Sequence, residues 1–194
     1  MIVLGLTGGI GMGKSTVAAM FAAHGIPAFN ADDAVHALQA QNGAAIPAIA
    51  EAFPGTVTDG VLDRAKLRAQ VLADNAAMKR LEGIMHPLVR QMQAAFTAEA
   101  AEAGRRAVLH DIPLLFETGG EARVDKTITV SCPREVQISR VLARGVPQAQ
   151  IEAIIARQMP DEEKRRRADY IVDTSGPLEE TQAQVARITE ELGL

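Results

Sequence analysis

The chain has 194 residues, 47% of them hydrophobic, with 20 basic and 24 acidic side chains and a net charge of −4. That length predicts one domain with a sizeable core and room for an inserted sub-domain. The acidic balance counts against a general nucleic-acid binder, one cysteine excludes an intrachain disulfide and a cysteine zinc site, and the apolar runs are too short to span a membrane. Cys132 is expected to be a small packing residue in a reducing, cytoplasmic setting. The first residues read as the start of a strand, so no secretory signal is expected.

Taken in chain order, Ile2–Leu6 is an apolar run that reads as a buried strand. Gly8 to Ser15 then fits G-x-x-x-x-G-K-[ST], the phosphate-binding loop. Val17, Met20 and Phe21 follow at helical spacing, so the loop stands between a strand and a helix, as that motif requires. Glycines let the backbone N–H groups close on a phosphate chain. Lys14 supplies a compact positive charge, the Ser15 hydroxyl is a Mg²⁺ ligand, and the helix beginning near Gly13 aims its dipole at the same anion. Gly8, Gly9, Ile10, Gly11, Met12, Gly13, Lys14, Ser15 and Thr16 are therefore candidate ATP-binding residues.

A second strand is predicted at Ile26–Phe29, followed by Phe29-Asn-Ala-Asp-Asp33. Open α/β sheets bind ligands at strand carboxyl ends. A carboxylate there would orient a hydroxyl that attacks a phosphate, or it would cap the next helix. Spacing does not rank Asp32 against Asp33. Ala31 to Arg106 contains no convincing strand and reads as a helical sub-domain, with Asp63 and Asp74 as N-caps. Leu81, Met85, Leu88, Met92 and Phe96 step along one helix face, expected to be core, and Pro87 is expected to split the run into two helices. His86 precedes that break, where a structural role and a ligand contact both stay open.

Further strands are predicted at Ala107–Asp111, Lys126–Ser131 and Tyr170–Asp173. Asp111 ends its strand as a helix cap or as a group that holds Mg²⁺ through water. Pro133 to Arg167 carries eight basic and five acidic residues, as a mobile lid over phosphates would. Arg140 and Arg144 are expected four apart on one helix face and are the candidate phosphate contacts, whereas Arg165–Arg167 reads as a solvated face. Asp173-Thr-Ser-Gly176 matches the D-x-x-G of GTPase switches, but no N-K-x-D guanine motif accompanies it and the match is read as chance. No His, Cys, Asp and Glu set has tight metal-ligand spacing. Strands alternating with helices predict a three-layer α/β fold with a parallel sheet.

Together these residues resemble the dephospho-CoA kinase family over nearly the whole chain. Gly5-Leu-Thr-Gly-Gly-Ile-Gly-Met-Gly-Lys-Ser-Thr16 is similar to its opening, Asn30-Ala-Asp32 to its D-A-D, and His86-Pro87 to its H-P. Asp111-Ile-Pro-Leu-Leu-Phe-Glu117 matches D-[IV]-P-L-L-[FY]-E, the most specific stretch after the loop. Gln137, Arg140 and Arg144 match Q-x-x-R-x-x-x-R, and Gln158, Lys164, Ala168-Asp169 and Gly176 fit the closing pattern. The resemblance implies a P-loop kinase-like fold with a five-stranded parallel sheet. Residues 1–30, 107–132 and 168–194 would form the nucleotide core, 31–106 the helical acceptor-binding insertion and 133–167 the lid.

The implied reaction transfers the γ-phosphoryl group of Mg²⁺-ATP to the ribose 3′-hydroxyl of dephospho-CoA. Asp32 is the implied base, ranked above Asp33 by the resemblance. Lys14 and Arg140 are the implied stabilisers of the transferring group, and Arg144 an ATP contact. His86, Arg90, Asp111 and Leu115 join Asp32 as acceptor-binding residues, and Ser15 and Asp111 hold the metal. A monomer or weak oligomer, without nucleic-acid or membrane partners, is expected. Two positions depart from the family: Met12 replaces the usual Ser or Ala, and Asn30 replaces the first Asp of D-A-D, where it cannot act as a base. A nucleoside monophosphate kinase and a nucleotide-dependent switch protein are the rival readings.

Overall fold

A computed structural model describes the backbone of residues 1–194 and every side chain except that of Ala73. In chain order the elements are β1 (Ile2–Thr7), α1 (Lys14–Ala23), β2 (Ala28–Asn30), α2 (Ala31–Leu38), α3 (Ile46–Ala52), β3 (Val57–Thr58), β4 (Val61–Leu62), α4 (Arg64–Ala73) and α5 (Asn75–Glu102). They continue with β5 (Ala107–Asp111), β6 (Lys126–Ser131), α6 (Arg134–Leu142), α7 (Gln148–Arg157), α8 (Asp161–Arg167), β7 (Tyr170–Asp173) and α9 (Leu178–Glu191). The chain forms two compact units, residues 1–29 with 99–194, and residues 30–98.

The first unit is built on a five-stranded sheet of order β2-β5-β1-β6-β7. β1 pairs in parallel with β5 and β6, and β6 in parallel with β7. Alternation along the strands sorts the two faces. Leu4 and Leu6 of β1, with Ile128 and Val130 of β6, join Val17 and Phe21 of α1 and Val185 and Ile188 of α9 in one apolar cluster. The intervening residues face the other way. A Cβ at Gly5 would lie 3.0 Å from both Leu115 and Val124, Thr7 Oγ1 donates to the Pro113 carbonyl, and Thr129 Oγ1 donates to the Lys164 carbonyl in α8. Helices on one face and the 113–124 segment with α8 on the other give the three-layer, P-loop kinase-like architecture that the alternating pattern predicts.

The second unit has its own core, in which Leu38, Ile46, Ile49, Phe53, Leu67 and Met85 are buried. Leu81, Leu88 and Met92 pack against it, so the Met/Leu stripe is core as expected. Two features differ from the sequence reading. α5 runs unbroken through Pro87. The carbonyl that Pro87 leaves without its donor belongs to Gly83, and both residues lie on the exposed face, where the loss of a helical bond costs least because solvent is at hand. The unit also contains a two-stranded antiparallel hairpin, β3–β4. Its turn residues Asp59 and Gly60 have φ of 49° and 73°, the left-handed pair of a type I′ turn, and Asp-Gly was its sequence signal.

The predicted caps hold. Asp63 accepts from Lys66 N at the start of α4, and Asp74 accepts from Ala76 N at the start of α5. β2 begins two residues later than expected. The Pro27 carbonyl still accepts from Leu109 N, and Ile26 packs into the core.

Candidate active site

The phosphate loop leaves β1 at the centre of the sheet and ends at α1, so both elements that the motif requires are present. Gly11 must be glycine. Its φ is +76°, and a Cβ there would sit 2.5 Å from Val141 and 2.8 Å from the Gln137 carbonyl. The Met12 side chain turns away from the loop. It is 3% exposed, and its sulfur accepts from Cys132 N at 3.2 Å. Cys132 is buried there as the packing residue expected, and burial pushes its thiol above the ordinary value. Ser15 and Thr16 are exposed in the first turn of α1.

Lys14 and Asp111 form an ion pair. Asp111 ends β5, the strand beside β1, and is 1% exposed. No α-helix follows it directly, so the capping alternative for Asp111 does not apply. Its neighbour His110 is buried, with its ring edge-to-face against Phe29 at 6.2 Å. Burial lowers His110 to about 4, which keeps the ring neutral at pH 7.

Arg140 is fixed in place: its guanidinium donates to Thr174 Oγ1 at 3.0 Å and to the Thr174 carbonyl at 2.6 Å. The Thr174 hydroxyl in turn donates to the Met12 carbonyl at 2.7 Å, which links the arginine to the phosphate loop. α6 ends at Leu142, so Arg144 stands past the helix and does not share one helical face with Arg140. Both nevertheless line one cleft of about 540 Å³ with Gly13, Thr16, Gly176 and Leu178. Thr174 lies in the D-x-x-G stretch. Its threonine ties Arg140 to the phosphate loop, and its place just past a strand's carboxyl end was the available signal.

Leu115 does not reach the accessible surface. It is 0% exposed and packs against Gly5 and Gly120, so the sequence-based assignment of this residue to the acceptor site is corrected to a core role. Glu117, in the same stretch, meets Lys164. Lys164 Nζ lies 2.9 Å from Glu117 Oε1 and donates to the Pro113 carbonyl at 3.2 Å, while Glu117 Oε1 also accepts from Met159 N at 2.9 Å. Lys164 is 1% exposed. Burial opposes ionisation of Glu117, but Lys164 and the Met159 N–H outweigh it and hold the carboxyl below its ordinary value.

That pair carries stability above the unfolded carboxyl value of 4.5 and loses it as pH falls through the lower folded value. Lys164→Met would leave the half-buried carboxylate uncompensated, which costs about 3 to 5 kcal/mol. A circular-dichroism melt at pH 7 is therefore expected to show a Tm lower by about 10 °C. An unchanged Tm would show that the pair contributes nothing.

The Arg165–Arg167 run is largely self-paired, as the solvated reading expects. Arg166 and Arg167 both bond Glu163, at 2.7 and 2.6 Å, and hold its carboxyl down to about 2. Asp169 accepts from Thr127 N and Oγ1, each at 2.8 Å, and so fastens the start of β6.

In the second unit Asp32 and Asp33 are exposed in the first turn of α2. Neither caps the helix. Asn30 does, with Oδ1 accepting from Asp32 N at 2.8 Å and Asp33 N at 3.1 Å. The departure at residue 30 thus places a neutral cap where an aspartate would add charge. His86 and Arg90 are exposed and four apart on α5, so they share its outer face.

Comparison with known proteins gives a consistent picture. The family model CoaE, dephospho-CoA kinase, matches residues 2–180. A dephospho-CoA kinase of Mesorhizobium japonicum is 58% identical over 193 residues, 99% of this chain and 97% of the relative. The crystal structure of TT1252 from Thermus thermophilus superposes with a TM-score of 0.85 at 36% identity, covering 98% of this chain and 97% of that one. A dephospho-CoA kinase from Campylobacter jejuni shares the fold, with a TM-score of 0.72 at 24% identity and 98% and 96% coverage.

Proposed function

Because this chain belongs to the dephospho-CoA kinase family, a group of transferases that phosphorylate dephospho-CoA with ATP to give CoA, we propose how its own residues divide that reaction. The Gly8–Thr16 loop and Lys14 hold the ATP phosphates. The ion pair between Lys14 and Asp111 is the observation that carries this reading. It places a buried carboxylate and the loop's ammonium together at the carboxyl ends of adjacent strands, where α/β folds bind ligands.

The residues fit a magnesium ion. Asp111 and the exposed Ser15 hydroxyl are hard oxygen donors, and Mg²⁺ takes one or two such groups with substrate phosphates and water completing its shell. Among the described residues no group of three His, Cys, Asp or Glu could hold a metal without such help. When bound, the ion neutralises charge on the phosphates.

Asp32 orients the ribose 3′-hydroxyl of dephospho-CoA and takes its proton as the γ-phosphoryl group transfers. Arg140, braced by Thr174, and Arg144 bring positive charge to the ATP side and stabilise the transferring group. Residues 133–167, which contain both arginines, act as the lid, and residues 31–106 bind the acceptor. The enzyme works in the cytoplasm as a monomer or weak oligomer. Among the described residues no helix is long and apolar enough to cross a membrane.

His86 and Arg90 are the acceptor contacts on α5. His86→Ala and Arg90→Ala are expected to raise KM for dephospho-CoA about tenfold and leave KM for ATP unchanged, as loss of one charge-assisted contact does. Steady-state kinetics with each substrate varied checks this. Wild-type KM values in both variants would remove α5 from the acceptor site.

A further inference from the structure

Both backbone polar groups of Ile10 are taken by glutamine side chains from the 133–167 stretch. Ile10 N–H donates to Gln158 Oε1 at 3.2 Å, and the Ile10 carbonyl accepts from Gln137 Nε2 at 2.8 Å. The backbone partners fix the polarity: of a glutamine's two amide groups only the oxygen accepts from the Ile10 N–H and only the NH₂ donates to the Ile10 carbonyl, so each amide has one orientation. Gln137 sits in α6 and is 4% exposed. Gln158 stands just past the end of α7. The residues between them include Arg140 and Arg144.

Gly9 is an independent mark of the same arrangement. Its φ lies outside the left-handed region, so conformation does not explain the glycine. A Cβ there would lie 3.0 Å from Gln137 Nε2 and 3.3 Å from Gln158 Oε1. The absent side chain makes room for the two amides.

We propose that Gln137 and Gln158 form a clasp that positions the first half of the phosphate loop for phosphoryl transfer. A glycine-rich loop has many backbone states to lose, and an error of about 1 Å at a reacting group costs about a hundredfold in rate. The first turn of α1 takes the inner phosphates. The clasped turn upstream of it, Gly9 to Gly11, shapes the outer end, where transfer occurs. The clasp also ties the loop to both ends of the arginine-bearing stretch. Movement of that stretch and shaping of the loop are therefore coupled. This proposal rests on the reading that the loop holds ATP.

Gln137→Met and Gln158→Met keep side-chain length and remove the hydrogen bonds. In the full chain, with Mg²⁺-ATP and dephospho-CoA, each is expected to lower kcat about tenfold, with KM for dephospho-CoA unchanged. The double variant is expected to be about as slow as either single one, because both act on one residue. Exchange of the Ile10 amide proton should rise in Gln158→Met. Wild-type kcat in both single variants would overturn the clasp. So would a hundredfold loss in the double variant, or a fall in Tm while the folded fraction turns over at the wild-type rate. Lys14→Ala separates the two levels. Lost turnover there with unaffected glutamine variants rejects the clasp alone, whereas wild-type turnover in Lys14→Ala rejects the ATP site beneath it.

Discussion

Lys14→Ala should lower kcat/KM by a factor of about a thousand, near 4 kcal/mol of transition-state stabilisation. The size follows from where the ammonium sits. It stands at the first residue of α1 against a carboxylate that is 1% exposed, so it acts where water screens little. The variant also removes the ammonium that faces the buried Asp111 carboxylate. Arginine would not restore the rate, since its planar fork does not reproduce a compact ammonium between phosphate and Asp111. Coupled ADP release at saturating dephospho-CoA measures the loss. A change below about threefold would remove Lys14 from the site.

Asp32→Asn is expected to reduce kcat by about a hundredfold or more, with KM for both substrates within about threefold. Asp33→Asn should stay near wild type. The two carboxylates share exposure and a place in the first turn of α2, and their N–H groups share one cap on Asn30. Helix-dipole and capping effects are therefore common to both, and any difference in rate reports the chemical role of one of them. Equal losses in the two variants would show that the helix start, and not a base, had been disturbed.

Much of this was legible because the strongest signals are local. A phosphate loop between an apolar strand and a helix is written in consecutive residues, and the five sheet strands stand out as apolar runs. The Asp-Gly pair at residues 59 and 60 is equally local, but the strands it joins are two residues long, too short for alternation to show. Pro87 misled because proline's effect depends on what stands four residues earlier; an exposed Gly83 tolerates it. Leu115 sits in the most specific motif, yet its neighbours at Gly5 and Gly120 are set by tertiary packing. The same holds for Thr174 with Arg140, and for the two glutamines on Ile10, whose partners lie 34, 127 and 148 residues away. Interactions over such distances follow from the sheet order and not from spacing in the chain.

The most direct measurement is ADP release from Mg²⁺-ATP with 3′-dephospho-CoA set beside a panel of nucleosides and nucleoside monophosphates, with the product identified by mass. Expected is stimulation by dephospho-CoA alone, with CoA as the product at one equivalent per ADP. Stimulation by a monophosphate in its place, or ATP hydrolysis that no acceptor accelerates, would contradict the assignment of this site.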